Sequence, residues 1–320
     1  MDQNPVPFVI NAALNIPFCL VAVAGNSLVL ASFAKNRSLI SPSNVILIGL
    51  AVSDLCVGVI VQPLYIVWRF NQFFSKDNWG KGILDSLTLF LSCALCSFSF
   101  LTVTTLSVDR YLALRLHLRY RELITVRRVS YFLGFACMSA FSLCTMTVFL
   151  PAHDEYIASV MALAFFVINT VIYFKIYCVV RRHRREITEQ QRHQPEQLHT
   201  SRIPVTRFAN ILRLRNSFLD TFYVYLIFLC CYIPYISIAI IFPEFKTNSS
   251  LVIAFEISWS LVFINSSLNP LLYSWRIKGV RATMKTILLG SSKGQSAPSI
   301  RRDAGHSFAM YHINHSCEVL

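Results

Sequence analysis

The chain has 320 residues, a formal net charge of +13, 55% apolar and 14% charged side chains, and a mean hydropathy of +0.53. That balance excludes an ordinary water-soluble domain of this length. The basic residues are gathered between long apolar runs, so the charge is explained by a membrane-facing surface and implies no nucleic-acid partner.

In chain order, a short segment at 1–7 precedes seven apolar runs at 8–34, 43–68, 83–112, 128–150, 156–181, 216–242 and 251–275. About 20 apolar residues suffice to cross a bilayer, so each run reads as a transmembrane helix. The first has no basic stretch before it and no clear cleavage site after it, and reads as a retained helix rather than a leader. Between the fifth and sixth runs, the residues from Arg181 to Arg215 are basic and rich in Gln and His, with helical extensions expected at both ends. After the seventh, residues 276–289 alternate basic and apolar side chains at helical spacing, as in a short amphipathic helix lying on a membrane face. The Ser-rich tail at 290–320 reads as disordered. The expected fold class is therefore an all-α membrane protein, a seven-transmembrane helix bundle with a short amphipathic eighth helix.

Orientation follows from the basic residues, because short cytoplasmic loops carry the excess of Lys and Arg. With the C-terminus inside, 25 of the 29 fall on the inner side, leaving Arg69, Lys76, Lys81 and Lys246 outside. This places the N-terminus extracellular in a multi-pass protein of the plasma membrane. On the outer side Asp2, Asp77, Asp85, Asp154, Glu155, Glu244 and Glu256 read as a solvated acidic rim. Nine of the ten cysteines lie within apolar runs and Cys317 in the tail, so no disulfide between outer loops is expected. Cys317-Glu318-Val319-Leu320 fits either a prenylation box or a PDZ-domain ligand. Asn248-Ser249-Ser250 is the one glycosylation sequon on the outer side.

Several polar groups stand where burial is costly. A charge within a membrane helix costs roughly 2.5–3.5 kcal/mol on insertion scales and is kept for a partner or a task. Asp54 lies midway through the second run, Asp109-Arg110-Tyr111 ends the third, and Asn269-Pro270-Leu271-Leu272-Tyr273 ends the seventh. Pro234 and Pro270 each remove a helical hydrogen bond and so supply hinges for the sixth and seventh helices.

These clusters, with Gly25-Asn26-Ser27 in the first run, Leu50-Ala51-Val52-Ser53-Asp54-Leu55 in the second, Tyr173 in the fifth and Phe228 to Pro234 in the sixth, resemble the rhodopsin-like (class A) G-protein-coupled receptors. The resemblance implies a receptor rather than an enzyme. An extracellular ligand would bind within the bundle, and a heterotrimeric G protein would dock at the inner ends, with arrestin and receptor kinases as further partners. The implied activation switch comprises Asp109, Arg110, Tyr111, Tyr173, Phe228, Tyr232, Pro234, Asn269, Pro270 and Tyr273. No cofactor is implied beyond a sodium ion held by Asp54, Ser99, Asn265 and Asn269. The ligand cavity would be lined by Tyr65, Ser92, Cys93, Cys96, Tyr235, Trp259 and Phe263, with Asp85 near its mouth.

Departures from the family pattern bear on the ligand. Ser92 replaces the aspartate of amine receptors and Phe263 the lysine of opsins, so a peptide, a nucleoside-like ligand or another small organic molecule is expected ahead of a classical monoamine. Tyr232 stands for the usual tryptophan of the sixth helix, and Asp85 for the cysteine that usually caps the third. The missing disulfide and Ile124 to Val129 are similar to melanocortin receptors, while Val57 to Pro63 and Leu116 to Tyr120 are similar to adenosine and amine receptors. The acid that often latches the arginine is Leu214 here; Asp220, six residues on, is rotated about 240° around the helix. An ion-coupled transporter or channel using Asp54 is the alternative reading, against which the sequence has no inverted repeat.

Overall fold

The computed structural model describes residues 6–74, 81–116, 119–149, 154–193, 203–241 and 249–289. The N-terminal residues, Asp77, Glu244, Lys246, Asn248 and the tail with Cys317 lie outside them. The described residues are almost entirely helical: α1 (Val6–Lys35), a 3-10 turn (Arg37–Leu39), α2 (Pro42–Cys56), a π-helical segment (Val57–Val61), α3 (Gln62–Phe74), α4 (Lys81–Leu116), α5 (Tyr120–Leu123), α6 (Val126–Phe149), α7 (Asp154–His193), α8 (Ile203–Ile241), α9 (Ser249–Arg276) and α10 (Lys278–Leu288).

Local chemistry sets several of these boundaries. Ser41 accepts a hydrogen bond from the Asn44 amide while Pro42 takes the first turn of α2, where its missing N–H costs nothing. Further along the same span, Pro63 would drive its ring into the carbonyl four residues back in a regular helix. The wider π turn at Val57–Val61 sits at that point and relieves the clash. Helix α7 continues to His193 and α8 begins at Ile203, so both reach well past the apolar runs that define them in sequence.

Six helical stretches among the described residues are long and apolar enough to cross a membrane. Helix α6 is the seventh long element, packed on α2 and α4. The helices close into a bundle: α1 packs against α2, α3 and α9, α9 against α8, α8 against α7, and α7 against α4. Helix α4 is the central post, touching α2, α3, α6, α7 and α8. Its Phe100 and Leu106 are buried with Phe166, Phe228 and Tyr232 in the main core. Large apolar side chains also point outward, among them Phe135 at 72% exposure and Met138 at 71%. Such a surface aggregates in water and is the natural coat in hydrocarbon. Helix α10 buries Val280, Thr283 and Met284 against α1 and α9 while Lys278, Arg281 and Lys285 face out, as its alternating pattern requires.

Helices α1 and α9 meet at Gly25, where an added Cβ would lie 2.8 Å from both Cβ and Cγ of Pro270. Both the close approach of α1 and the rigid ring depend on the missing side chain. Gly25→Ala is therefore expected to lower stability by about 1–3 kcal/mol, read as a fall in melting temperature of the purified protein. Gly134→Ala, at a position with nothing within 4 Å, is the control and should be neutral or slightly stabilising through helix propensity.

Candidate functional site

Polar side chains within the bundle form three clusters at different depths. At the basic end of α4, Asp109 is buried at 4% exposure and accepts hydrogen bonds from Ser43 on α2 (2.7 Å), Tyr120 on α5 (2.5 Å) and the Arg110 guanidinium (2.7 Å). Three elements are thereby fastened to one carboxylate, and charge-assisted bonds of this kind are about twice as strong as neutral ones. Burial, with the bond to Asp109, pushes the Tyr120 hydroxyl up to about 12. It stays protonated and remains a donor at physiological pH. Tyr111 lies half-buried beneath Arg115, 5.5 Å from the guanidinium. The Leu214 and Asp220 side chains fall outside the described residues.

One turn to two turns deeper, Tyr173 donates to the Thr221 carbonyl of α8 (2.9 Å) and stacks on Tyr225 with centroids 4.9 Å apart. Phe228 and Tyr232 stack at 5.5 Å, and Phe100 of α4 meets Tyr232 edge-on at 4.6 Å. Phe100, Phe228 and Tyr232 thus form one continuous aromatic contact between α4 and α8. Pro234 lies within continuous α8 and Pro270 within continuous α9.

The middle cluster surrounds Asp54, which is fully buried and accepts from Asn269 Nδ2 at 2.7 Å. Asn26 donates to the Ser266 carbonyl, tying α1 to α9. Ser99 is buried, and its hydroxyl shares a 3.0 Å bond with Ser53. The second Asp54 oxygen, the amide oxygens of Asn265 and Asn269, and the Tyr273 hydroxyl are buried without a hydrogen-bond partner.

The third cluster corrects the solvated-rim reading of Glu256, whose partner is Arg69. Both are buried, at 6% and 7% exposure, and form an ion pair between α9 and α3. Tyr65 donates to Glu256 Oε2 (2.9 Å) and accepts from Asn11 Nδ2 (3.1 Å), which also donates to the Glu256 carbonyl (3.0 Å). Ser260 then links Asn11 (2.9 Å) to Asn15 (2.7 Å), so an unbroken chain of hydrogen bonds ties α1, α3 and α9. The Arg69 guanidinium lies 3.8 Å from the Trp68 ring centroid, a close cation–π contact. Sequence spacing gives no hint of this pair, because 187 residues separate the partners.

Of the expected ligand-lining residues, Tyr65, Phe263, Trp259 and Tyr235 form one aromatic row beside this pair. Ser92 is buried and donates to its own helix at the Thr88 carbonyl (2.6 Å), so its hydroxyl is already engaged. Cys93 and Cys96 are half-buried on α4, and Asp85 is exposed near the start of that helix. Gln62 is fully buried with neither amide atom hydrogen-bonded. All nine cysteines among the described residues are free thiols.

The Asp109 cluster sets a direct expectation for stability. Tyr120→Phe removes one donor to a buried carboxylate and should cost about 1.5–3 kcal/mol, measured by thermal or denaturant unfolding of the purified protein. An unchanged midpoint would show that the bond contributes nothing.

Residues 25–158 match the family model described as 7 transmembrane receptor (rhodopsin family). The matched stretch runs from the Gly25 contact in α1 through the Asp54 and Asp109 clusters to the first turns of α7. Over these residues, less than half of the chain, the sequence is similar to the rhodopsin family of seven-transmembrane receptors, and the helical bundle is consistent with that likeness.

Proposed function

We propose that this protein is a plasma-membrane receptor that takes an extracellular ligand between its helices and triggers nucleotide exchange on a heterotrimeric G protein at the Arg110 end. The observation that carries the reading is the fastening of α2, α4 and α5 through Asp109, with Arg110 tethered at the end of the central helix. Release of Arg110 from Asp109 frees a planar fork of donors at that end. The buried, unpartnered Tyr273 hydroxyl favours rearrangement, since it gains a partner only in another arrangement or through water. The N-terminus is extracellular in this reading, because the basic residues cluster at the Arg110 end. Arrestin and receptor kinases share that docking face. The ligand class is a peptide, a nucleoside-like molecule or another small organic compound, in keeping with the melanocortin and adenosine branches. The helices around Asp54 lack the broken pairs typical of ion-coupled transporters, which favours the receptor over the transporter.

Asp54, Ser99, Asn265 and Asn269 are the residues that would hold a sodium ion. The unpartnered oxygens of Asp54, Asn265 and Asn269 fit a hard cation, and the ion would supply the positive charge that the buried carboxylate lacks. In purified wild-type protein, sodium chloride should raise the melting temperature above that in choline chloride, and Asp54→Asn should abolish the difference. Equal melting temperatures in the two salts would remove sodium from the account.

The exchange reading is tested with receptor in lipid nanodiscs and purified G protein. Because Leu214 replaces the usual acidic latch, exchange above that of empty nanodiscs is expected without ligand. Asp109→Asn should raise it several-fold and Arg110→Ala should bring it to background. Exchange equal to empty nanodiscs for wild type and Asp109→Asn alike would contradict the proposal.

A further inference from the structure

The Arg69–Glu256 pair fixes the chemistry of a guest that binds among Tyr65, Trp259, Tyr235 and Phe263. Each charge is more than nine-tenths buried, and the two lie within the aromatic row that the ligand reading selects. A guest entering there has to contact or separate them. A guest that separates them without bringing a charge strands both groups, and one that separates them with a single charge strands the other. Leaving one member of a buried ion pair without a partner weakens binding on the order of a hundredfold or more. A guest carrying a carboxylate and an ammonium group leaves neither stranded, because one buried pair is exchanged for two.

We infer that the ligand is a zwitterion, an α-amino acid or a very short peptide with free termini, whose carboxylate pairs with Arg69 and whose ammonium group pairs with Glu256. This rests on the receptor reading above and deepens it. The surrounding groups suit both halves. Trp68 already holds the guanidinium on its face at 3.8 Å, and Tyr65 and the α1 residue Asn11 already orient the carboxylate side. Gln62, one turn from Tyr65 on the same face of α3, adds a buried donor and a buried acceptor that no protein group uses.

The same geometry carries a signal. Inserting a guest between the charges spreads α3 from α9, and Tyr65 is in edge contact with Phe263 at 5.2 Å. From Phe263 the row continues to Trp259 at 5.7 Å and to Tyr235 at 5.0 Å. Tyr235 follows Pro234 directly on α8, so a shift in the row reaches the hinge of the helix that carries Phe228 and Tyr232. Packed aromatic contacts of this kind move by discrete repacking rather than by smooth deformation.

The test uses the full chain in nanodiscs without G protein and reads the melting temperature. The probes are the common α-amino acids and their dipeptides, each compared with its N-acetylated and its C-amidated derivative, which carry one terminal charge. At least one zwitterion should raise the melting temperature in a saturable way, with both derivatives at least a hundredfold weaker. In Arg69→Gln/Glu256→Gln, which strands no charge, that shift should disappear. The inference is overturned if no zwitterion shifts the wild type, if either derivative matches its parent, or if the double variant binds as the wild type does. The comparison of parent with derivative needs no variant and stands even if the double variant fails to fold. Binding without G-protein exchange would sink only the receptor reading; exchange without zwitterion binding would sink only this inference.

Discussion

A charged group enclosed by apolar helices has no bulk water to fall back on, and this constraint organises the whole bundle. Every buried charge described here is provided with partners from other helices. Asp109 draws in Ser43 and Tyr120, Asp54 draws in Asn269, and Glu256 draws in Arg69 and Tyr65. Because these partners lie on a different element from the charge they meet, satisfying the charge and placing the helices are one event. Removing a partner strands a charge at a cost of about 3–5 kcal/mol, whereas replacing both members of a pair by neutral groups can be nearly free.

The clusters divide the labour along the bundle. The Asp109 cluster holds the basic end, where α4 and α8 are further joined by the aromatic core of Phe100, Phe228 and Tyr232. The Asp54 cluster joins α2 to α9 in the middle. The chain from Asn15 to Arg69 stitches α1 and α3 to α9 towards the other end. That last chain is a fastening between helix ends built from hydrogen bonds and charge, and the described cysteines form no disulfide.

The fold class was legible because hydrocarbon imposes long apolar runs, and runs of that length have few alternatives to helices. Asp54, Asp109, Arg110 and Asn269 were legible for a related reason: each breaks an apolar run, so its position alone marks it. The contacts of those residues were less so. Ser43 and Tyr120 are ordinary residues for a helix start and a loop, and nothing local ties them to Asp109. Arg69 and Glu256 sit near the ends of their runs, where hydropathy cannot distinguish a solvated rim residue from one turned inward. Their pairing is a fact of tertiary packing across 187 residues. The Gly25 contact with Pro270 is of the same kind, since only the approach of α1 to α9 reveals it. Pro63 was visible, but its π turn depends on how the helix accommodates the ring.

The central claim is that charges enter this bundle only as partnered sets, and the Arg69–Glu256 pair tests it most directly. The measurement is a double-mutant cycle on the unfolding free energy of the purified full chain with Arg69→Gln, Glu256→Gln and both together. Each single change should cost about 3 kcal/mol or more, and the double variant should return to within about 1 kcal/mol of the wild type. Two single changes that are each nearly neutral, or that simply add, would contradict it.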